Sequence, residues 1–391
     1  MSVRWRIANV VAGIAVATLA IGCSWDYPVW PKNKKSDTAL FRFVINERDG
    51  AGYIDRDGRV IIQPNLFHFG NYGDDDFFDG LAKVRVNGED WYIDRTGKPI
   101  FRAHFLASGH FSEGLASTIE GGKAGFIDRE GKLVISRSFD SVDDFAEGLA
   151  VVGMNRRYGY INKDGSLAIR PKYTLAMAFS EGAARVIEES QCLYVGYGPC
   201  STFNPMTLPY DPSTKPSTNL PRCHYSFIDR QGMPLFQNKY ADAKDFAEGL
   251  APVGDGKLWG FVDKKGAVVI SMRYEDTEPF AEGLARFRSG GKWGYIDRTG
   301  NIVVSAVYQS ALDFSDGLAV VGDGLYKYWF IDKKGHQAIP QFYTAASSFV
   351  MGRAHVRNGV DYYTAKWSYI DRNGRAVFTY SDQSNPKGNV R

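Results

Sequence analysis

The sequence predicts an all-β protein of tandem units, about 34 residues and about three short strands each, stacked as an open or curved solenoid-like array. A closed propeller-like ring is the alternative. Three observations carry this. A closing glycine recurs nine times, at Gly58, Gly97, Gly131, Gly165, Gly232, Gly266, Gly300, Gly335 and Gly374. Its spacing is 34 or 35 residues, stretched to 39 at each end and to 67 between Gly165 and Gly232. Aromatic and β-branched runs flank each glycine, which is a hairpin pattern. A second phrase, Phe-x-acid-Gly-Leu-Ala, precedes it at Phe111 to Ala116, Phe145 to Ala150, Phe246 to Ala251, Phe280 to Ala285 and Phe314 to Ala319, with looser copies ending at Ala82, Ala184 and Ala354. A unit this small cannot bury a core alone, so neighbours must share one. About 34 residues are few for a four-stranded blade, which favours the open array. A ring would require the first and last units to touch.

Taken in order, residues 1–22 read as a signal peptide: Arg4 and Arg6 precede an apolar run from Ile7 to Gly22, short for a spanning helix of about 20 residues. Residues 23–38, with Pro28, Pro31 and the stretch Lys32 to Lys35, read as a tether. The repeat array occupies 39–380, its first unit an atypical cap. Residues 188–223 interrupt it with Cys192, Cys200, Cys223 and many prolines. Outside the cytoplasm those cysteines can oxidise, and three pairings are open; Cys192 with Cys223 is preferred because both lie near the neck where the flanking strands meet. Residues 381–391 read as a disordered tail.

Within a unit, the glycine takes the left-handed position of a tight loop. Three residues before it stands Asp in eight copies and Asn162 in the other, suited to an Asx-turn. The acid-Gly pair launches a strand such as Leu149 to Val152, expected to pair with Tyr158 to Ile161. These residues place the chain in a known company. Trp259-Gly260-Phe261-Val262-Asp263 and Trp293-Gly294-Tyr295-Ile296-Asp297, preceded by Glu-Gly-Leu-Ala, resemble the bacterial WG, or KWG, repeat family over roughly Phe41 to Tyr380. The resemblance implies a β-rich repeat protein with no general catalytic role. Several units depart from it, with Trp91, Ser226, Trp329 and Ser368 at the glycine position. In the same way, Ala20-Ile21-Gly22-Cys23 resembles the bacterial lipobox, which implies lipidation of Cys23. Ser24 after it favours an outer membrane, if the host has one.

The net charge of +3 over 391 residues argues against a nucleic-acid binder, so any electrostatic role is local. The recurring acids Glu113, Glu147, Glu181, Glu248, Glu282 and Asp316 are related by repetition, whereas glycoside hydrolysis needs two carboxylates in unlike environments. They read as turn acids. Asp74 to Asp76 and Asp55 to Asp57 lack a full calcium ligand set. The histidines His68, His104, His110, His224, His336 and His355 show no zinc spacing. No catalytic residue, metal or cofactor is expected.

One pattern exceeds turn chemistry: a basic residue follows the hairpin Asp or Asn in all nine copies, including Arg95, Arg129, Arg298 and Lys333. In register these would form a row able to meet an acidic or phosphate-bearing polymer, or would simply solvate the hairpin tips. Trp91 and Trp329 are the best single candidates for exposed aromatic contacts. The expected function is a non-catalytic binding or scaffold module of the cell envelope, lipid-anchored to a membrane and engaging a protein or polysaccharide. An envelope glycan hydrolase and a structural spacer are the alternatives, the spacer requiring a uniformly polar surface.

Overall fold

The computed structural model describes residues 39–46, 50–64, 76–86, 89–103, 107–188, 223–359 and 365–381, all within one compact unit. The calls on residues 1–22, on Cys23 and the tether, on Cys192, and on the tail beyond Ser381 lie outside them. Among the described residues are nine antiparallel sheets in chain order, five of four strands and four of three, and no helix long and apolar enough to cross a membrane. We number them as blades 1 (41–62), 2 (81–102), 3 (107–139), 4 (141–173), 5 (175–228), 6 (242–274), 7 (276–308), 8 (310–331) and 9 (345–381).

Blade 7 shows the plan. An edge strand of two residues, Asp276–Thr277, leads to Leu284–Ser289, Lys292–Asp297 and Ile302–Tyr308, each pairing with the next. The last strand exposes Ile302 and Val303 to solvent, so it is the outer one; the short first strand is the edge that fits where the blades crowd together. Tyr295 and Ile296 are fully buried on opposite faces of the third strand, against blade 8 and blade 6 respectively. That explains why the unit reads as a near-continuous apolar run rather than a clean alternation.

The expectation of an open array is wrong. Blades 9 and 1 touch, and the array is a closed ring: the Tyr369 hydroxyl donates to the Arg42 carbonyl at 2.6 Å, the Phe41 and Tyr369 rings lie 5.4 Å apart, and Phe43 packs 4.8 Å from Phe378. The length argument failed because a two-residue inner strand and two-residue turns let four strands fit within residues 276–308.

The joints between blades repeat as faithfully as the blades. The aromatic residue of each third strand meets the phenylalanine that opens the next acid-Gly turn, as in Tyr160 with Phe179, Phe261 with Phe280 and Tyr295 with Phe314, at 4.8 to 4.9 Å. Such pairs are worth about 0.5–1.5 kcal/mol each beyond their burial. Where that residue is tyrosine, its hydroxyl also donates to the next blade's inner strand, Tyr160 to the Met177 carbonyl and Tyr295 to that of Leu312. At the closing joint Tyr369 keeps this role, but its partner Phe41 opens the first strand of blade 1, at the register position where other blades carry the alanine of Leu-Ala.

The glycine after the tryptophan is a site of close approach, as expected. A Cβ on Gly294 would lie 2.5 Å from the Val304 carbonyl oxygen. The outer strand bulges there: Trp293 pairs with Tyr308 and Tyr295 with Val304, so four steps oppose two. In blade 9, with Ser368 at this position, Trp367 pairs with Tyr380 and Tyr369 with Phe378, without the bulge.

Candidate binding surface

Consecutive antiparallel strands put the first and third turns of each blade on one face of the ring, and the second turn and the passage to the next blade on the other. The two faces differ in kind.

On the first face, the acid-Gly pair is a two-residue hairpin turn with both φ angles positive, 53° at Glu282 and 87° at Gly283. A non-glycine residue in that conformation costs about 1–2 kcal/mol. The carboxylates show what offsets it. Each reaches the following blade: Gly317 N donates to Glu282 Oε2 at 2.9 Å, Gly148 N to Glu113 Oε2 at 3.0 Å and Gly114 N to Asp79 Oδ2 at 2.7 Å. The basic residue of that following blade closes the clasp from its third turn. Arg129 Nη1 donates to the Asp79 carbonyl at 2.6 Å, and Lys333 Nζ to the Glu282 carbonyl at 2.8 Å with an ion pair of 3.3 Å to the carboxylate. Lys163 and Lys264 do the same at Glu113 and Glu181, Arg372 pairs with Asp316 at 3.4 Å, and Arg298 lies over the Gly249 turn of blade 6. The basic row therefore reaches into the joints between blades; its side chains stay about half exposed, Arg129 and Lys333 at 45%. Arg95 occupies the equivalent turn of blade 2, facing blade 1. In blade 9 the acid is replaced by Met351, also at positive φ, with Arg56 beside its Gly352.

The hairpin aspartates behave as the sequence implied. Asp297 Oδ1 accepts from Thr299 N and Asn301 N, both at 2.9 Å, and Gly300 has φ of 85°. The Thr299 hydroxyl bond, with these amides, holds the Asp297 carboxyl down at about 2.

The second face carries the loops that do not repeat: Gly121-Gly122 in blade 3, Asn155-Arg156 in blade 4, Gly290-Gly291 in blade 7, and the 188–223 insertion, which joins Ala184–Ile187 to Ser226–Ile228 of blade 5. In blade 8 the loop is Asp323-Gly324-Leu325-Tyr326-Lys327. Leu325 is 79% exposed and Tyr326 75%, with Tyr326 itself at φ 64°. Beside them Lys327 Nζ lies 3.9 Å over the ring of Phe342, itself 47% exposed, while Trp329 packs edge-on at 5.9 Å to Phe342 and 5.8 Å to Tyr308. Trp329 is thus half-buried and supports Phe342 from beneath. Trp91 is also half-buried, packed on the joint between blades 1 and 2. Sequence reasoning missed Leu325, Tyr326 and Phe342; the signal available was this loop's departure from the Gly-Lys lead-in to Trp293.

The repeated tryptophans Trp259 and Trp293 are half-buried and roofed by cations, Lys244 over Trp259 at 4.9 Å and Arg286 over Trp293 at 5.4 Å. His355 is stacked between Trp367 and Tyr369, and burial pushes its pKa down to about 4. Among the described residues no group of three His, Cys, Asp or Glu side chains could hold a metal. His68, His104, Asp74 and Asp75 lie outside them. Cys223 is buried in the core shared by blades 5 and 6.

Comparison with solved structures fits the ring. A eukaryotic initiation factor matches with a TM-score of 0.59 at 12% identity, over 89% of this chain and 97% of that one. The designed protein Ika8 (TM-score 0.43, 10% identity, 72% and 91% covered) and BamB from Moraxella catarrhalis (0.34, 11%, 87% and 97%) are weaker likenesses. Only the first speaks to the fold. A search of curated proteins gave no match. The model of the WG containing repeat matches residues 52–89, 125–157, 158–190, 225–258, 259–293 and 293–324, together more than half of the chain. With those matches falling on successive blades of one ring, the chain belongs to the WG containing repeat family.

Proposed function

We propose that this protein is a non-catalytic binding or scaffold module that engages a protein partner through the face bearing the variable loops, centred on the Leu325, Tyr326 and Phe342 patch. The observation that carries the reading is the exposure of Leu325 and Tyr326 on a rigid blade beside a lysine-capped aromatic cluster. Exposed aromatic anchors on a fixed scaffold are what protein interfaces use as their energetic centres. The patch also speaks against the spacer, which called for a uniformly polar surface. The recurring acids speak against the hydrolase, because they share one structural role. Lipidation of Cys23, an envelope location and a Cys192 to Cys223 bond belong to this proposal on sequence grounds alone.

The test is recovery of partners from solubilised envelope by the mature chain, set against a Leu325→Ser/Tyr326→Ser variant and against Arg298→Ala on the opposite face. Loss in the first variant and retention in the second, at both low and high salt, supports the patch. Equal recovery by all three removes it. A salt-sensitive loss confined to Arg298→Ala transfers the role to the basic row.

A further inference from the structure

The inner edges of the blades carry a second repeated device, and one copy of it is incomplete. In blade 5 the second strand presents Arg185, whose Nε donates to Asp245 Oδ1 of blade 6 at 2.6 Å and whose Nη1 donates to the Ala243 carbonyl at 2.5 Å. Blade 7 repeats this with Arg286, Asp313 of blade 8 and the Ala311 carbonyl, at 2.7 and 2.5 Å. In blade 1 the same position is Arg42, and its charge acts on Asp76, the corresponding acid of blade 2. The acid is always the residue just before the phenylalanine of the acid-Gly turn. Where the arginine position is Val151, Pro252 or Val320 instead, the facing position in the next blade is Ala178, Pro279 or Ser348. In these six joints arginine and acid appear together or not at all, while blade 2 carries Lys83 at the position, opposite His110 of blade 3.

The joint between blades 3 and 4 breaks that rule. Asp144 stands before Phe145, but the residue that pairs with Phe126, as Arg185 pairs with Phe227, is Ser117. Ser117 and Asp144 both border Gly109, on which a Cβ would collide with the Ser117 hydroxyl and lie 3.3 Å from Asp144 Oδ1. The aromatic that roofs the arginine in the other copies, Tyr225 or Trp293, is here Ala124, so the joint lacks both the guanidinium and its lid. Among the described residues no cation faces Asp144, and Asp143 beside it adds a second negative group. Burial, then the charge of Asp143, pushes the Asp144 pKa up to about 7. Part of the side chain nevertheless remains exposed to solvent.

We propose that Asp144, with the Val142 carbonyl and beside Ser117 where the other joints carry arginine, is a receptor for a guanidinium or ammonium group supplied from outside the chain. It would be bound as Arg185 and Arg286 are bound in their own joints. The proposal does not depend on the aromatic patch, which lies on the other face. A guest cation gains a charge-assisted bond to the carboxylate and a second to a carbonyl placed by the inner strand, and it relieves the repulsion between Asp143 and Asp144.

The experiment is an NMR titration of the full mature chain with N-acetyl-arginine amide, and separately with a short peptide bearing one arginine, following the amides of Gly109, Ser117 and Asp144. Saturable shifts at these three are expected. Ser117→Arg should weaken them at least about tenfold by supplying the guanidinium from within, and Asp144→Asn should do likewise by removing the carboxylate. Equal affinities for amide and peptide indicate a small cation; tighter peptide binding indicates a partner's side chain. Shifts that do not saturate, or that persist unchanged in both variants, overturn the proposal.

Discussion

The two faces of the ring are built from the same blades by opposite rules. On the clasped face the acid-Gly turns and the Asp-Gly hairpins are committed to the neighbouring blade, in joint after joint with an acid reaching forward and a base reaching back. On the variable face the links between blades differ from joint to joint, as where Asp140 accepts from both Lys123 and Asn155, and its loops hold Leu325, Tyr326 and the attachment of the 188–223 insertion. Regularity on one side is what permits variation on the other, because the repeated clasps do not draw on the variable loops.

That contrast can be broken at graded cost. The largest effect should come from neither face but from the sheet between them: Gly294→Val drives a side chain into the Val304 carbonyl and should cost about 3 kcal/mol or more in urea unfolding, while Ser368→Val, where no bulge leans on the residue, should cost less than half as much. On the clasped face, Glu282→Ala removes the acceptor of Gly317 N and the counter-ion of Lys333; the loss should be about 1–2 kcal/mol by the same assay, against about nil if the acids were only turn formers. Next comes a pH effect. The Asp144 carboxyl titrates near 7 in the folded chain and near 4 unfolded, so its neutral form stabilises the fold below about pH 4 and that stabilisation is lost as pH rises through 7. Asp144→Asn should therefore be more stable than the parent at pH 8 by about 1 kcal/mol, a figure reduced for the solvent at this half-exposed group, and equal to it near pH 4. Smaller again, Met351→Glu should restore a clasp to the joint of blades 9 and 1, beside Arg56, and gain about 0.5 kcal/mol. Smallest of all, Leu325→Ser with Tyr326→Ser should move stability by less than about 0.5 kcal/mol. A larger loss would mean the variable face also holds the ring together.

Much of this architecture was legible because its signals are local. Asp297 and Gly300 announce a hairpin within four residues, and the structure returns that turn in blade after blade. Gly294 announced a close approach and makes one. Closure was not legible, because it depends on residues far apart in the chain. Glu282 meets Gly317, and Lys333 returns to Glu282, at spacings an open stack would also satisfy; the deciding contacts, Tyr369 with Arg42 and Phe41, have no counterpart in the pattern. The basic residues were read as a row because their regularity was visible and their partners, a blade away, were not. The same limit hid the Ser117 and Asp144 mismatch, which appears only once register aligns Ser117 with Arg185.

The closing joint has one more consequence. Among the described residues blade 1 is built from 41–62 and blade 9 from 345–381, with no strand shared across the seam, and side-chain contacts shut the ring. The order in which blades follow one another along the backbone is then separable from the order in which they stand around the axis. A circular permutant joined across the Phe43 and Tyr380 contact and reopened between Tyr308 and Ser310 should assemble the same nine joints, with blade 8 first and blade 7 last along the chain.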